Sequence, residues 1–212
     1  MPTMCRELGF KVAHSGESQD EGAPGPPPIS LTRRCWASAM NAMYDHIQML
    51  AAYNRWANAR LYDAVARMSD SDYRADLGAF FHSVHGTLNH ILVADRIWIQ
   101  RFTGQGDAPR ALDTILYEDF AALRAAREAE DDRIAGYIET LDDAKLSGTF
   151  RYRTISKPAD IEQPLMPALL HFFNHQTHHR GQIHALLTRT LGDAPSLDLI
   201  YFQRETGVGL TR

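Results

Sequence analysis

His175 and His179 stand four residues apart in the stretch 165–187, which also carries His171, His178 and His184 and so holds five of the chain's ten histidines. Four residues are close to one helical turn, which places two such side chains one above the other. Two imidazoles on one rigid element can then reach a single divalent ion. A helical projection puts Leu165, Leu169, Phe172, Ile183 and Leu187 on one side. His179 falls roughly 40° and His175 roughly 80° from the centre of that apolar side, whereas His171 falls roughly 120° and His178 roughly 140° away. The pair at the edge of the core is therefore 175 and 179. Two core histidines can equally well be held by hydrogen bonds alone, so a third ligand from another element is what a metal site requires.

Three further helices are expected to position that pair. The first runs from Tyr44 to about Met68 on Ile47, Leu50, Ala51, Leu61, Val65 and Met68, at steps of three and four. Ser69-Asp70-Ser71-Asp72 stops it. The second runs from about Ala79 to Thr103, ending at Gly104, with Phe81, Val84, Leu88, Ile91, Trp98 and Phe102 on its apolar face. The third spans about Tyr117 to Thr140 on Leu116, Phe120, Leu123, Ile134, Ile138 and Leu141. Phe150, Tyr152 and Thr154 alternate with Arg151 and Arg153 as a short strand or extended loop, broken by Lys157-Pro158 and Gln163-Pro164 before the histidine helix. Gly192 ends that helix, and 195–202 reads as a short closing helix.

Each apolar stripe is interrupted by polar residues: Asn54 and Asn58, His90 and Asp95, Arg127 and Glu130, His175 and His179. Such groups must find partners. Asn54 and Asn58 either hydrogen-bond within the core or, with Trp98, line a pocket for a cofactor. Asp95 calls for a cation, either Arg180 or a metal-bound imidazole. His82 and His85 project to the polar side and are read as solvated. The expected fold class is all-α: a four-helix bundle with an extended crossover before the fourth long helix and a common polar pocket at mid-height.

Over 212 residues, 44% hydrophobic and 23% charged side chains can build one sizeable core. The net charge of −4 argues against a nucleic-acid partner. No apolar run reaches the roughly 18 residues of a membrane span. Cys5 and Cys35 both precede the bundle, so no disulfide framework holds it, and a reducing, cytoplasmic setting is expected. Five of the ten prolines occur by Pro28, and residues 1–40 read as a disordered tail, or as residues ahead of a true start at Met40 or Met43. The bundle is placed at 41–206 and a frayed C-terminus at 207–212.

Three segments, 53–58 (YNRWAN), 84–95 (VHGTLNHILVAD) and 174–182 (NHQTHHRGQ), resemble in order and spacing the signature segments of DinB-like (DinB/YfiT) proteins, over roughly residues 43–205. The resemblance implies a four-helix bundle in which a divalent metal is held by three histidines. One comes from the second helix and two from an H-x-x-x-H pair on the fourth, here His90, His175 and His179. It also implies a homodimer. Relatives of known activity are thiol-dependent transferases and isomerases, and others are described as metal-dependent hydrolases.

Three neutral imidazoles leave coordination positions open. The expected function is thus a divalent-metal-dependent enzyme acting on a small molecule, by hydrolysis or by transfer to a low-molecular-weight thiol. A non-catalytic metal-binding or stress-related bundle is the alternative. Imidazole suits zinc and nickel first, and iron and copper as well. Asp95 and Glu130 are the carboxylates nominated as a general base, and Asp95 and Asn89 are nominated to fix a histidine tautomer. Gln176 stands where a zincin would need glutamate, which argues against that protease class.

Overall fold

The computed structural model describes residues 33–155 and 157–210, with side chains from Ala42 onward. The expected tail over 1–32 lies outside these residues. The first helix, α1 (Arg33–Val65), begins inside the segment expected as tail. Past Pro28 the chain carries no proline or glycine before Gly78, and Ala, Met and Arg dominate 33–43, all favourable in helices. The Ser/Asp cluster after α1 does more than stop it. The Ser69 side chain accepts from the Asp72 amide and caps a one-turn helix, α2 (Asp70–Arg74).

The second long helix, α3 (Val84–Thr103), starts at an N-cap, Ser83, five residues later than its apolar pattern implies, and closes on left-handed Gly104. Residues 79–82 form an isolated bridge, with His82 at φ 64°. The third long helix, α4 (Phe120–Glu139), is likewise trimmed by its cap, Asp119, and is followed by α5 (Asp143–Leu146). The arginine-rich stretch is a true strand, β1 (Thr149–Arg153), paired antiparallel with β2 (Asp160–Pro164). Both prolines read as breakers flank or end β2, so the sequence pattern shows only its first half. The fourth long helix, α6 (Leu165–Leu191), closes on Gly192, and α7 (Leu199–Thr206) lies a few residues later than the expected lid, closing on Gly207.

The long helices form a ring in which α1 and α3 each pack against both α4 and α6. This is the expected four-helix bundle, crossed by the hairpin before α6. Its core is layered. Leu61, Val65, Leu88, Leu92, Leu123, Ile183 and Leu187 cluster at one end, and Ile47, Ile99, Ile134, Ile138, Leu169 and Phe172 at the other. Between them every helix contributes buried polar side chains: Asn54 and Asn58, Asp95, Arg127 and Asp131, Gln176 and Arg180.

The members of this middle layer hydrogen-bond to one another, and a cavity of ≈ 210 Å³ between α1 and α4 is lined by Asn58, Arg127 and Asp131 but by neither Asn54 nor Trp98. Asn54 and Asn58 donate to Asp131 Oδ1 at 3.3 and 3.0 Å, and both accept from Arg180 Nη1. Arg127 donates to Asp95 and lies 3.1 Å from Asp131 Oδ1. Asp95 therefore pairs with Arg127 and not with Arg180, whose guanidinium is spent on amides and on Thr177 Oγ1. Among the described residues, no helix is long and apolar enough to cross a membrane.

Candidate metal centre

His90 leaves α3 five positions before Asp95 of the polar layer and points toward α6. There His175 and His179 project from successive turns. The three Nε2 atoms form a nearly equilateral triangle: 3.3 Å from His90 to His175, 3.2 Å from His90 to His179 and 3.2 Å from His175 to His179. His90 and His179 are buried and His175 is half-buried, so the triangle sits at the bundle's edge with one side toward solvent. The projection separates inner from outer histidines correctly, since His171 and His178 are exposed.

The outer nitrogens decide what the inner ones can be. His90 Nδ1 lies 2.8 Å from the Leu112 carbonyl oxygen, which can only accept, so Nδ1 carries the proton. His179 Nδ1 lies 2.8 Å from Gln182 Oε1, with the same consequence. Both Nε2 atoms are then bare lone pairs facing each other at 3.2 Å with no proton between them. That repulsive arrangement becomes favourable around a cation. Two imidazole nitrogens on a tetrahedral ion at about 2.0–2.1 Å stand roughly 3.3 Å apart, and the observed triangle has that edge. The donor set fits a divalent ion without rearrangement.

Electrostatics point the same way. Burial pushes the His90 imidazole down to about 4, with the Leu112 carbonyl opposing. Burial, and then the neighbouring His179 and His90, push His175 down to about 3. Burial also lowers His179. All three rings are neutral at pH 7, as metal ligands must be.

A pH dependence follows for the metal-free protein. In the unfolded chain these rings take protons near pH 6.5, while the folded ones resist until about 4 and 3. The unfolded state binds more protons throughout that window, so stability falls as pH drops from about 6.5 toward 4 and changes little from this source above it. Chelated protein melted across this range should show that decline, and His90→Leu/His175→Leu protein should show a smaller one.

The supporting residues differ from those nominated. Among the described residues Asn89 touches none of the three clustered histidines, and its one histidine contact is Nδ2 donating to the His85 backbone carbonyl at 3.1 Å. Its Oδ1 accepts from the Leu116 and Tyr117 amides and its Nδ2 donates to the Tyr117 carbonyl, which pins the loop that presents the Leu112 carbonyl. His85, expected in solvent, is buried with Nε2 3.0 Å from the same Tyr117 carbonyl. Asp95 is paired with Arg127, and Glu130 accepts from Arg133 at 3.2 Å with Arg96 at 3.8 Å. Neither carboxylate reaches the imidazoles among the described contacts. Trp98 meets His171 at 5.2 Å between ring centroids, and His171 meets His175 at 5.9 Å, so Trp98 stands one ring removed from the cluster.

Phe81 escaped sequence reasoning because its pattern assigned it to the helix. It lies in the preceding turn and stacks on His90 with centroids 3.7 Å apart and planes at 17°. Gly86 makes that turn possible, since a Cβ there would lie 2.2 Å from the Phe81 carbonyl oxygen. Gln182 carried a usable signal, standing three residues after His179 on the same helix face.

A sequence model of the DinB family matches residues 43–206. The chain belongs to the DinB family. A similar curated relative is Protein DinB of Bacillus subtilis (strain 168), 27% identical over 160 residues that cover 68% of this chain and 86% of the relative. The matched range takes in the segments 53–58, 84–95 and 174–182 and ends where α7 does, while α1 begins ten residues before it.

Proposed function

We propose that this DinB-family protein is a divalent-metal-dependent enzyme acting on a small molecule, by hydrolysis or by transfer to a low-molecular-weight thiol, with His90, His175 and His179 as the metal ligands. The observation that carries the reading is the triangle of neutral imidazole nitrogens with its half-exposed third member. A closed structural site would supply a fourth protein ligand, whereas three ligands leave room for a substrate atom. When bound, a divalent ion there polarises a carbonyl or acidifies a water or thiol.

The chain's own contribution is placement. The Leu112 carbonyl and Gln182 orient two of the rings, and Phe81 covers one face of His90 and excludes water from it. With Asp95 and Glu130 held by arginines, no carboxylate among the described residues stands ready as a base beside the cluster. The reaction class favoured is therefore one in which the acidified nucleophile needs no further deprotonation, which suits an attacking thiolate.

Protein purified without chelator should carry about one divalent ion per chain, zinc or nickel foremost, by elemental analysis. The metal-loaded protein should turn over members of a panel of esters, amides and electrophiles, with a low-molecular-weight thiol present or omitted. Chelation should abolish that turnover. Bound metal that raises the melting temperature without any turnover would favour a non-catalytic bundle.

A further inference from the structure

Against an overall charge of −4, one cleft is lined by cations. It lies between the second half of α3, the loop after Gly104 and β1, has a volume of ≈ 510 Å³, and is lined by Arg101, Arg110, Arg151 and Arg153 beside Gln100 and Tyr152, with no acidic side chain in its wall. Two of the four are neutralised from outside. Arg151 pairs with Glu162 at 2.7 Å and Arg153 with Asp160 at 3.0 Å across the hairpin. Arg101 and Arg110 have no carboxylate partner among the described residues.

Arg101 is the notable one. Its guanidinium carbon lies 4.7 Å from the Trp98 ring centre and 4.5 Å from that of Tyr152, so aromatic faces hold the group in place. One N–H donates to the Arg153 carbonyl at 3.3 Å. Its other N–H groups have no protein acceptor among the described residues, and burial lowers its pKa, opposed only in part by the neighbouring Tyr152 phenol. A half-desolvated, pre-oriented guanidinium without a counter-ion is a site for a planar or tetrahedral anion.

The cleft is joined to the histidines on two sides. Trp98, packed on Arg101, contacts His171, which contacts His175. The loop that supplies Arg110 supplies, two residues on, the Leu112 carbonyl that orients His90.

We propose that this cleft recognises the carboxylate or phosphate arm of an extended small molecule whose reactive end reaches the histidine cluster. The inference rests on the metal-enzyme reading above and adds the substrate class: an anionic molecule, either the substrate proper or the thiol. From His90 to the cleft residues Ile97 and Arg101 is seven to eleven positions along α3, or about 10–16 Å at 1.5 Å each. An anion and a reactive group separated by one or two bonds cannot span that distance.

Calorimetric titration of the full chain, chelated and metal-loaded, with inorganic phosphate, succinate and uncharged succinamide tests the proposal. Saturable binding of phosphate or succinate but not succinamide is expected in both forms, and the tighter of the two anions distinguishes a phosphoryl arm from a carboxylate arm. Arg101→Met and Arg110→Met should each weaken it by about tenfold or more, the loss of one charge-assisted contact. Arg110 is exposed, so its variant decides the matter alone if Arg101→Met does not fold. His175→Ala/His179→Ala protein should bind the anion as well as wild type. The absence of saturable binding, equal affinity in the arginine variants, or loss of binding in the histidine variant would each overturn the proposal. Metal content is measured separately, so the metal reading can fail while the anion site stands, or the reverse.

Discussion

Alanine in place of His90, His175 or His179 is expected to weaken divalent-ion binding by about two to three orders of magnitude. A four-ligand zinc site binds with roughly 10–16 kcal/mol, or about 2.5–4 kcal/mol per ligand. The double variant His175→Ala/His179→Ala leaves one imidazole and should purify without stoichiometric metal. Gln182→Leu is expected to cost less, about 10–100-fold, because His179 keeps its nitrogen but loses the acceptor that fixes its tautomer. His171→Ala and His178→Ala should bind normally, although both rings lie within 6 Å of a ligand ring by centroid distance. Competition with a chromophoric chelator measures all of these. Equal loss at inner and outer histidines, or full metal in the double variant, would mean the ion sits elsewhere.

The ranking of inner over outer histidines was legible because it depends only on helical periodicity, which Leu165, Leu169, Phe172, Ile183 and Leu187 set on either side of the pair. The polar mid-layer was legible for the same reason. Asn54, Asp95 and Arg127 break otherwise apolar stripes and lie in that layer, whereas His175 breaks its stripe at the histidine cluster. What periodicity cannot supply is partnership. Asp95 met Arg127 and not Arg180 although α3 packs against both α4 and α6, because Arg180 turns to Asn54 and Asn58 on α1, a choice of partner that no stripe encodes. Boundaries slipped where a cap overrode the pattern. Phe81 is apolar and in phase with α3, yet the Ser83 cap starts the helix three residues later and turns that ring onto His90. The contacts that orient the cluster include a backbone carbonyl, Leu112, which any residue could provide. Its presence follows from the loop held by Asn89, and from nothing in residue type at position 112.

The interior ion network carries the second large effect. Arg127 is almost fully buried, touches Asp95 and Asp131, and through Asp131 is linked to Asn54 and Asn58 and on to Arg180, so four helices meet around it. Burial alone disfavours its charge, but Asp131 and Asp95 more than offset that and raise its pKa. Arg127→Met keeps much of the volume and removes the cation, leaving the buried Asp95 and Asp131 carboxylates without it. Breaking such a pair costs about 3–5 kcal/mol, against a typical domain stability of roughly 5–15 kcal/mol. The loss should depend on pH in a stated direction. Even beside Arg127, burial pushes the Asp95 carboxyl up to about 7, and without the guanidinium it goes higher. The folded variant then binds a proton that the unfolded chain, with an ordinary aspartate near 3.8, does not. Its stability should therefore rise as the solution is acidified from above pH 7 toward 4, the reverse of the trend expected for the buried histidines. Urea denaturation of chelated protein at several pH values reads both at once. A penalty for Arg127→Met that stayed constant from pH 8 to about 5 would mean that Asp95 remains ionised without its partner, solvated through the cavity that Arg127 and Asp131 line.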